Sequence, residues 1–238
     1  MSTTPRKGLG LDRVVLLGRT FEEYSRYFSI DPAQWRGRRV LDVASGVSSF
    51  AAEANALGLE VTACDPIYDL DVEVIRPRCI ADLNHVLDSI FGLTVYRWAF
   101  YQNPERLRGF RERAYRAFLE DYAKWGRQRY VPGLLPNLPF ADGTFELTLV
   151  SYLLLVYEEQ LDFDFHLRAV LELMRVTRGE LRLYPMVNFE GERSAHLARL
   201  ERELPALGFR IELIETDFEF LVGSHYYVRI TRRPLPRA

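Results

Sequence analysis

Cysteine is scarce in this chain. Cys64 and Cys79 are the only two among 238 residues, which leaves no disulfide framework and no metal-ligand spacing. Lysine is scarcer than arginine by a wide margin: apart from Lys7 and Lys124, all 31 basic residues are Arg. Because that bias runs along the whole chain, a local cluster of arginines says little by itself. A net charge of −2 argues against binding nucleic acid through charge alone. No run of about 18 apolar residues exists to cross a membrane, and the first residues lack the apolar stretch of a secretory signal, so a cytoplasmic protein is expected. Repeats, low-complexity tracts and Gly/Ser linkers are missing as well, which points to one domain over residues 1–238. What is present is 48% hydrophobic and 27% charged residues, the make-up of a globular α/β domain.

The order of elements supports that class. Residues 1–12 are expected to fray, and 20–29 read as a short helix with Thr20 and Glu23 forming a capping box. Residues 38–46 (RRVLDVASG) read as a buried strand, the following SSFAAEANALG as a helix stopped at Gly58, and 60–65 (EVTACD) as a second strand. Strand, helix and strand in so short a span form a βαβ unit and demand a parallel sheet. From 68 to 128 no core strand is evident. Leu107, Phe110, Ala114, Phe118, Tyr122 and Trp125 set out an amphipathic helix over 104–128, opened by Pro104 after Asn103. Strands follow at 129–131 and 145–151, a helix at 163–176, a strand at 180–185, a helix at 192–207, and strands at 209–215 and 225–231. The last two are too close for a crossover helix, so one antiparallel strand ends a mostly parallel sheet.

In an open α/β sheet the ligand site is the turn after the first strand. Here that turn runs from Asp42 to Ser48. Small residues at 44–46 allow close backbone approach, and a helix beginning near Ser48 would aim free N–H groups at a ligand. Asp65 ends the second strand, where a carboxylate can accept from a ribose diol. A dinucleotide fingerprint is not met: Ala44, Gly46 and Ser49 stand where three glycines belong.

Three segments carry a family resemblance. Residues 40–66 (VLDVASGVSSFAAEANALGLEVTACDP) resemble the first motif and second-strand acid of class I S-adenosylmethionine-dependent methyltransferases. Residues 138–155 (LPFADGTFELTLVSYLLL) resemble their L-P-F turn and fourth strand, and 172–185 (ELMRVTRGELRLYP) their following helix and fifth strand. The resemblance implies a Rossmann-like fold, with a mostly parallel seven-stranded sheet, an antiparallel last strand and helices on both faces. It implies S-adenosylmethionine as cofactor and S-adenosylhomocysteine as product. Asp42, Ala44, Ser45 and Gly46 would line the methionine part, Asp65 the ribose, Pro66 and Ile67 the adenine face. Leu134 would meet adenine through its backbone, and Ser151 would lie beneath the methionine end. Arg19 and Tyr24 would belong to a lid helix over about 13–30, with Arg19 paired to the cofactor carboxylate. Ala44 departs from the family's usual glycine.

Methyl transfer from a sulfonium needs positioning more than acid–base help, so the resemblance supplies no universal catalytic residue. Tyr152, Tyr157 and His166 are the candidates, each with a plain structural alternative in the core or at its rim. The 68–128 segment, with Tyr96, Trp98, Phe100 and Tyr101 ahead of its helix, reads either as a lid over an apolar pocket or as an added layer through which two copies pair. The expected function is methylation of an O or N atom of a small molecule, without a metal, a membrane or nucleic acid. The alternatives are an inactive cofactor-binding module and an RNA methyltransferase, the latter using Trp98 and Tyr101 to stack on bases.

Overall fold

A computed structural model describes residue 9 and residues 14–90 and 92–233. Of the stretch expected to fray, only Leu9 lies among the described residues, and it is buried. The sheet has seven strands in the order β3 (Tyr130–Val131), β2 (Glu60–Cys64), β1 (Arg39–Val43), β4 (Phe145–Ser151), β5 (Thr177–Tyr184), β7 (Tyr226–Arg232), β6 (Phe209–Glu215). From β3 through β5 every pairing is parallel, while β7 runs antiparallel to both of its neighbours. This is the class I methyltransferase sheet that the resemblance implies. Strand order reverses at β1, between β2 and β4, and such a switch point opens a crevice at the carboxyl ends of the strands.

Alternation along β1 divides the core. Val40 packs into one apolar cluster, whereas Leu41 and Val43 enter the other. Asp42 therefore sits on the Val40 face, fully buried, beneath helices α1 (Phe21–Tyr27) and α3 (Phe50–Ala56). A four-residue helix, α2 (Pro32–Trp35), joins α1 to the sheet. The opposite cluster takes the apolar faces of α6 (Phe163–Val176) and α7 (Ala195–Glu203). The expected helix over 192–207 ends earlier, its last residues Leu204–Leu207 tightening into a 3-10 turn closed by Gly208.

The insertion is a pair of packed helices. α5 (Pro104–Trp125) starts as expected, with the Asn103 side chain accepting from the Arg106 N–H at 2.8 Å, and stops at Gly126. Before it runs α4 (Val72–Ile90), which holds Pro77 in its interior. A proline reads in sequence as a breaker, and it hides this helix; seven buried residues of α4, among them Ile75, Leu83 and Ile90, supply the packing that overrides the local cost. The lid helix expected over 13–30 is corrected: residues 14–20 are not helical, and the helix is confined to Phe21–Tyr27. Its N-terminus is the expected capping box, with Thr20 accepting from the Glu23 N–H and Glu23 accepting from the Thr20 N–H.

Candidate cofactor site

The carboxyl ends of β1, β2 and β4 open into a cavity of about 400 Å³. Ala44, Ser45 and Gly46 line it from the first turn; Asp65, Pro66 and Ile67 line it from the second. Leu134, Ser151, Arg19 and Tyr24, also expected, line it from other segments. Ala44 stands at φ +54° and Gly46 at φ +55°, so two left-handed residues fold the turn sharply. Only the glycine adopts this without strain. A Cβ placed on Gly46 would meet nothing within 4 Å; it would project into the cavity.

Asp65 is anchored by its own neighbourhood. It caps the 3-10 turn Pro66–Asp69, accepting from the Ile67 N–H at 3.0 Å, and its other oxygen accepts from the Gly46 N–H at 2.9 Å. Burial pushes its carboxyl up to about 6, against these two hydrogen bonds, which pull it down. A carboxylate has roughly four acceptor sites, so both bonds leave room for hydroxyl donors. Tyr68 buttresses the same turn by donating to the Gly46 carbonyl at 2.7 Å. Ser45 Oγ is buried at the cavity wall without a hydrogen-bond partner. That orphaned oxygen, the opening beside Gly46 and the anchored acid suit a nucleoside with a polar amino-acid tail.

Asp42 departs from expectation. It does not line the cavity, because Tyr24 lies between: the tyrosine hydroxyl donates to the Asp42 oxygens at 3.0 and 3.2 Å. Burial is the main force on this acid, raising its carboxyl to about 7. The expected free N–H groups at the start of α3 are also used. The Ser49 N–H and the Ser48 hydroxyl both donate to the Arg19 carbonyl, at 3.0 and 2.7 Å.

These bonds belong to a strap without regular secondary structure, residues 14–20, that runs along the cavity where a helix was expected. Three neighbours hold its backbone. Asp82 of α4 accepts from the Leu16 N–H at 2.8 Å, Arg111 of α5 donates to the Gly18 carbonyl at 2.9 Å, and the α3 terminus takes Arg19. A Cβ on Gly18 would lie 2.1 Å from the Val47 carbonyl oxygen, so the strap can lie this close only with glycine there. Val14 to Leu17 of the strap and Arg78 of α4 line the cavity and were missed in the sequence. The apolar run VVLL was a usable signal for the first; Arg78 stands in a segment without any motif.

Of the candidate catalytic residues, Tyr152 alone reaches the large cavity. It holds φ +54°, a strained state for a bulky residue and one that clusters at functional sites. Tyr157 is buried beside a smaller cavity of about 60 Å³, which shares Val15, Leu17, Arg19 and Tyr152 with the larger. For His166 the structural alternative holds. Its Nε2 accepts from the Leu155 N–H at 3.1 Å and its Nδ1 lies 2.8 Å from the Asp162 carbonyl, so both ring nitrogens are engaged in a fully buried site. Burial also lowers its pKa, and the ring works as a neutral brace between α6 and the loop after β4.

No family model matches the chain. It is 38% identical over 226 residues to the uncharacterized protein MJ0045 of Methanocaldococcus jannaschii, an alignment covering 94% of this chain and 99% of the relative. The two belong to one family. Among solved structures, the fold resembles a TehB-like SAM-dependent methyltransferase from Corynebacterium glutamicum, at 17% identity and TM-score 0.45 over 83% of this chain and 82% of that one. It also resembles a SAM-dependent methyltransferase from Methanosarcina mazei, at 16% identity and TM-score 0.43 over 83% and 93%.

Proposed function

We propose that this chain, a member of the same family as MJ0045, is an S-adenosylmethionine-dependent methyltransferase acting on a small molecule. The observation that carries the reading is the hydrogen bond from the Gly46 N–H to Asp65 on the wall of a cavity of about 400 Å³. It would set a ribose-binding acid beside a turn of small residues. Asp65 would accept from the ribose hydroxyls, Pro66 and Ile67 would flank the adenine, and the backbone near Leu134 would meet its edge. Ser45 and Ser151 would face the methionine end, with Ala44 and Gly46 admitting it closely. The bound cofactor supplies an activated methyl group on a sulfonium, a good leaving group. This chain's own residues then hold the acceptor in line and keep water out, which the strap and the tyrosines around Tyr152 are placed to do.

Adenine and ribose contacts would serve an adenosyl compound and a dinucleotide alike; the dinucleotide is disfavoured because no glycine run is present to seat a pyrophosphate. Calorimetric titration with S-adenosylmethionine, S-adenosylhomocysteine and NADH tests the reading. Micromolar binding of the two adenosyl compounds, without NADH, is the expected result. Binding of NADH alone, or of none of the three, would overturn it. Transfer of a radiolabelled methyl group into a small-molecule extract separates an enzyme from a module that only binds. Label in ribonuclease-sensitive material would favour RNA instead.

A further inference from the structure

We propose that the smaller cavity takes the carboxylate of a short apolar acid, and that Arg19 grips it as the methyl acceptor. The inference rests on the cofactor reading for the larger cavity and adds the acceptor class. The two cavities share the wall made by Val15, Leu17, Arg19 and Tyr152, so a group in the smaller one adjoins a ligand in the larger. Elsewhere the smaller cavity is walled by apolar side chains such as Val86, Ile90, Phe189 and Phe220. A cavity of about 150 Å³ suits benzene. One of about 60 Å³ suits a headgroup of roughly three heavy atoms on that scale, the size of a carboxylate.

Charge selects the sign. Two guanidinium groups, Arg19 and Arg111, line the cavity. Arg111 is already neutralised: its two terminal nitrogens donate to the Glu23 oxygens at 2.7 and 3.0 Å. Thr20 and Tyr101 use what Glu23 has left. Arg19 has no carboxylate partner among the described residues. Its guanidinium lies 3.6 Å over the Tyr152 ring and donates one hydrogen bond, to the Leu17 carbonyl at 2.9 Å. The ring fixes the plane of the fork while other N–H donors stay available, and a planar fork matches a carboxylate.

Chemistry narrows the class further. Among the described residues, no carboxylate or histidine lines the smaller cavity to accept a proton; Tyr96 and Tyr152 hold their protons more firmly because they are buried, and arginine does not give one up. A thiol or phenol would need such help near neutral pH, whereas a carboxylic acid arrives ionised. The carboxylate oxygen gains the methyl group as one C–O bond forms and one C–S bond breaks. The breaking pair stays on sulfur, the negative and positive charges cancel, and no proton moves. The product is a methyl ester.

The test is titration with propionate, isobutyrate and octanoate, each against its primary amide, with and without S-adenosylhomocysteine. The acids are expected to bind at least tenfold more tightly than the amides. Arg19→Gln should abolish that preference, Arg19→Lys should keep part of it, and both should bind 5′-methylthioadenosine, which lacks the amino-acid tail, within threefold of wild type. Wild type supplied with methyl-labelled cofactor should yield base-labile label that is released as methanol. Equal binding of acids and amides would overturn the proposal, as would base-stable label. So would a tenfold loss of S-adenosylhomocysteine in Arg19→Gln with 5′-methylthioadenosine unaffected, since the charge would then serve the amino-acid tail. If wild type binds no adenosyl compound, the acceptor role fails with the cofactor reading, while acid against amide still decides whether Arg19 holds a carboxylate in the smaller cavity.

Discussion

The Tyr24 hydroxyl bonds both oxygens of Asp42, which shields a buried acid of the first strand from the cavity that Tyr24 itself lines. The pair turns a residue expected to touch the cofactor into a support beneath it. Tyr24→Phe should cost about 1–3 kcal/mol of stability, because the acid loses its hydroxyl donor. Denaturant unfolding measures this; a loss below about 0.5 kcal/mol would mean the bond contributes nothing net.

Asp42 also predicts a pH dependence. The native carboxyl keeps its proton up to about pH 7, while the unfolded one releases it near the ordinary carboxylate value of about 4. Between these limits the native state binds more protons, so this acid lowers stability as pH rises. Asp42→Asn should leave stability nearly unchanged at pH 4 and raise it at pH 8 by about 2–4 kcal/mol. Since Asp42 is not on the cavity wall, S-adenosylhomocysteine affinity should stay within about threefold of wild type, a shift under about 1 kcal/mol. Urea titrations at both pH values check the first statement and calorimetry the second.

Asp65 should behave in the opposite way toward ligand. Its ionised form is the acceptor, and burial raises its carboxyl to about 6. Affinity for S-adenosylhomocysteine should therefore fall as pH drops from 7 to 5. Asp65→Ala should weaken binding by about 1–3 kcal/mol and flatten that profile. Wild-type affinity in the variant would remove Asp65 from the site.

The left-handed turn separates fold from ligand access. Ala44→Gly relieves a strained φ of +54° and should stabilise by roughly 0.5–1 kcal/mol, with binding kept. Gly46→Val projects its side chain into open space at a φ of +55°; it should abolish binding and cost about 1–2 kcal/mol of backbone strain, while the folded circular dichroism spectrum remains. Unchanged binding in Gly46→Val would mean the ligand lies elsewhere.

The buried pair Glu23–Arg111, 2.7 Å apart, fastens α5 to α1. Burial pushes the Glu23 carboxyl up, but Arg111, Tyr101 and Thr20 together hold it below the ordinary carboxylate value. Arg111→Leu strands that charge and should cost about 3–5 kcal/mol. The double change Glu23→Leu with Arg111→Leu should recover part of the loss, because no buried charge remains unpaired. A double variant no better than the single one would show that shape rather than charge governs this contact.

The sequence by itself determined the sheet and its turn. Apolar runs of β1 and β4, the small residues Ala44 to Gly46, the acid Asp65 and the caps Thr20 and Asn103 act through neighbours close along the chain. Local periodicity therefore reports them, and ten of the eleven residues expected at the cofactor line one cavity. Only tertiary structure decided what lies over that turn. The strap at 14–20 is not helical because Asp82, Arg111 and Ser49, all distant in sequence, bind its backbone. Tyr24 covers Asp42, His166 spends both nitrogens inside the core, and α4 forms through Pro77 because its buried face outweighs the local penalty. Each of these outcomes depends on a partner far along the chain, and local pattern cannot carry that information.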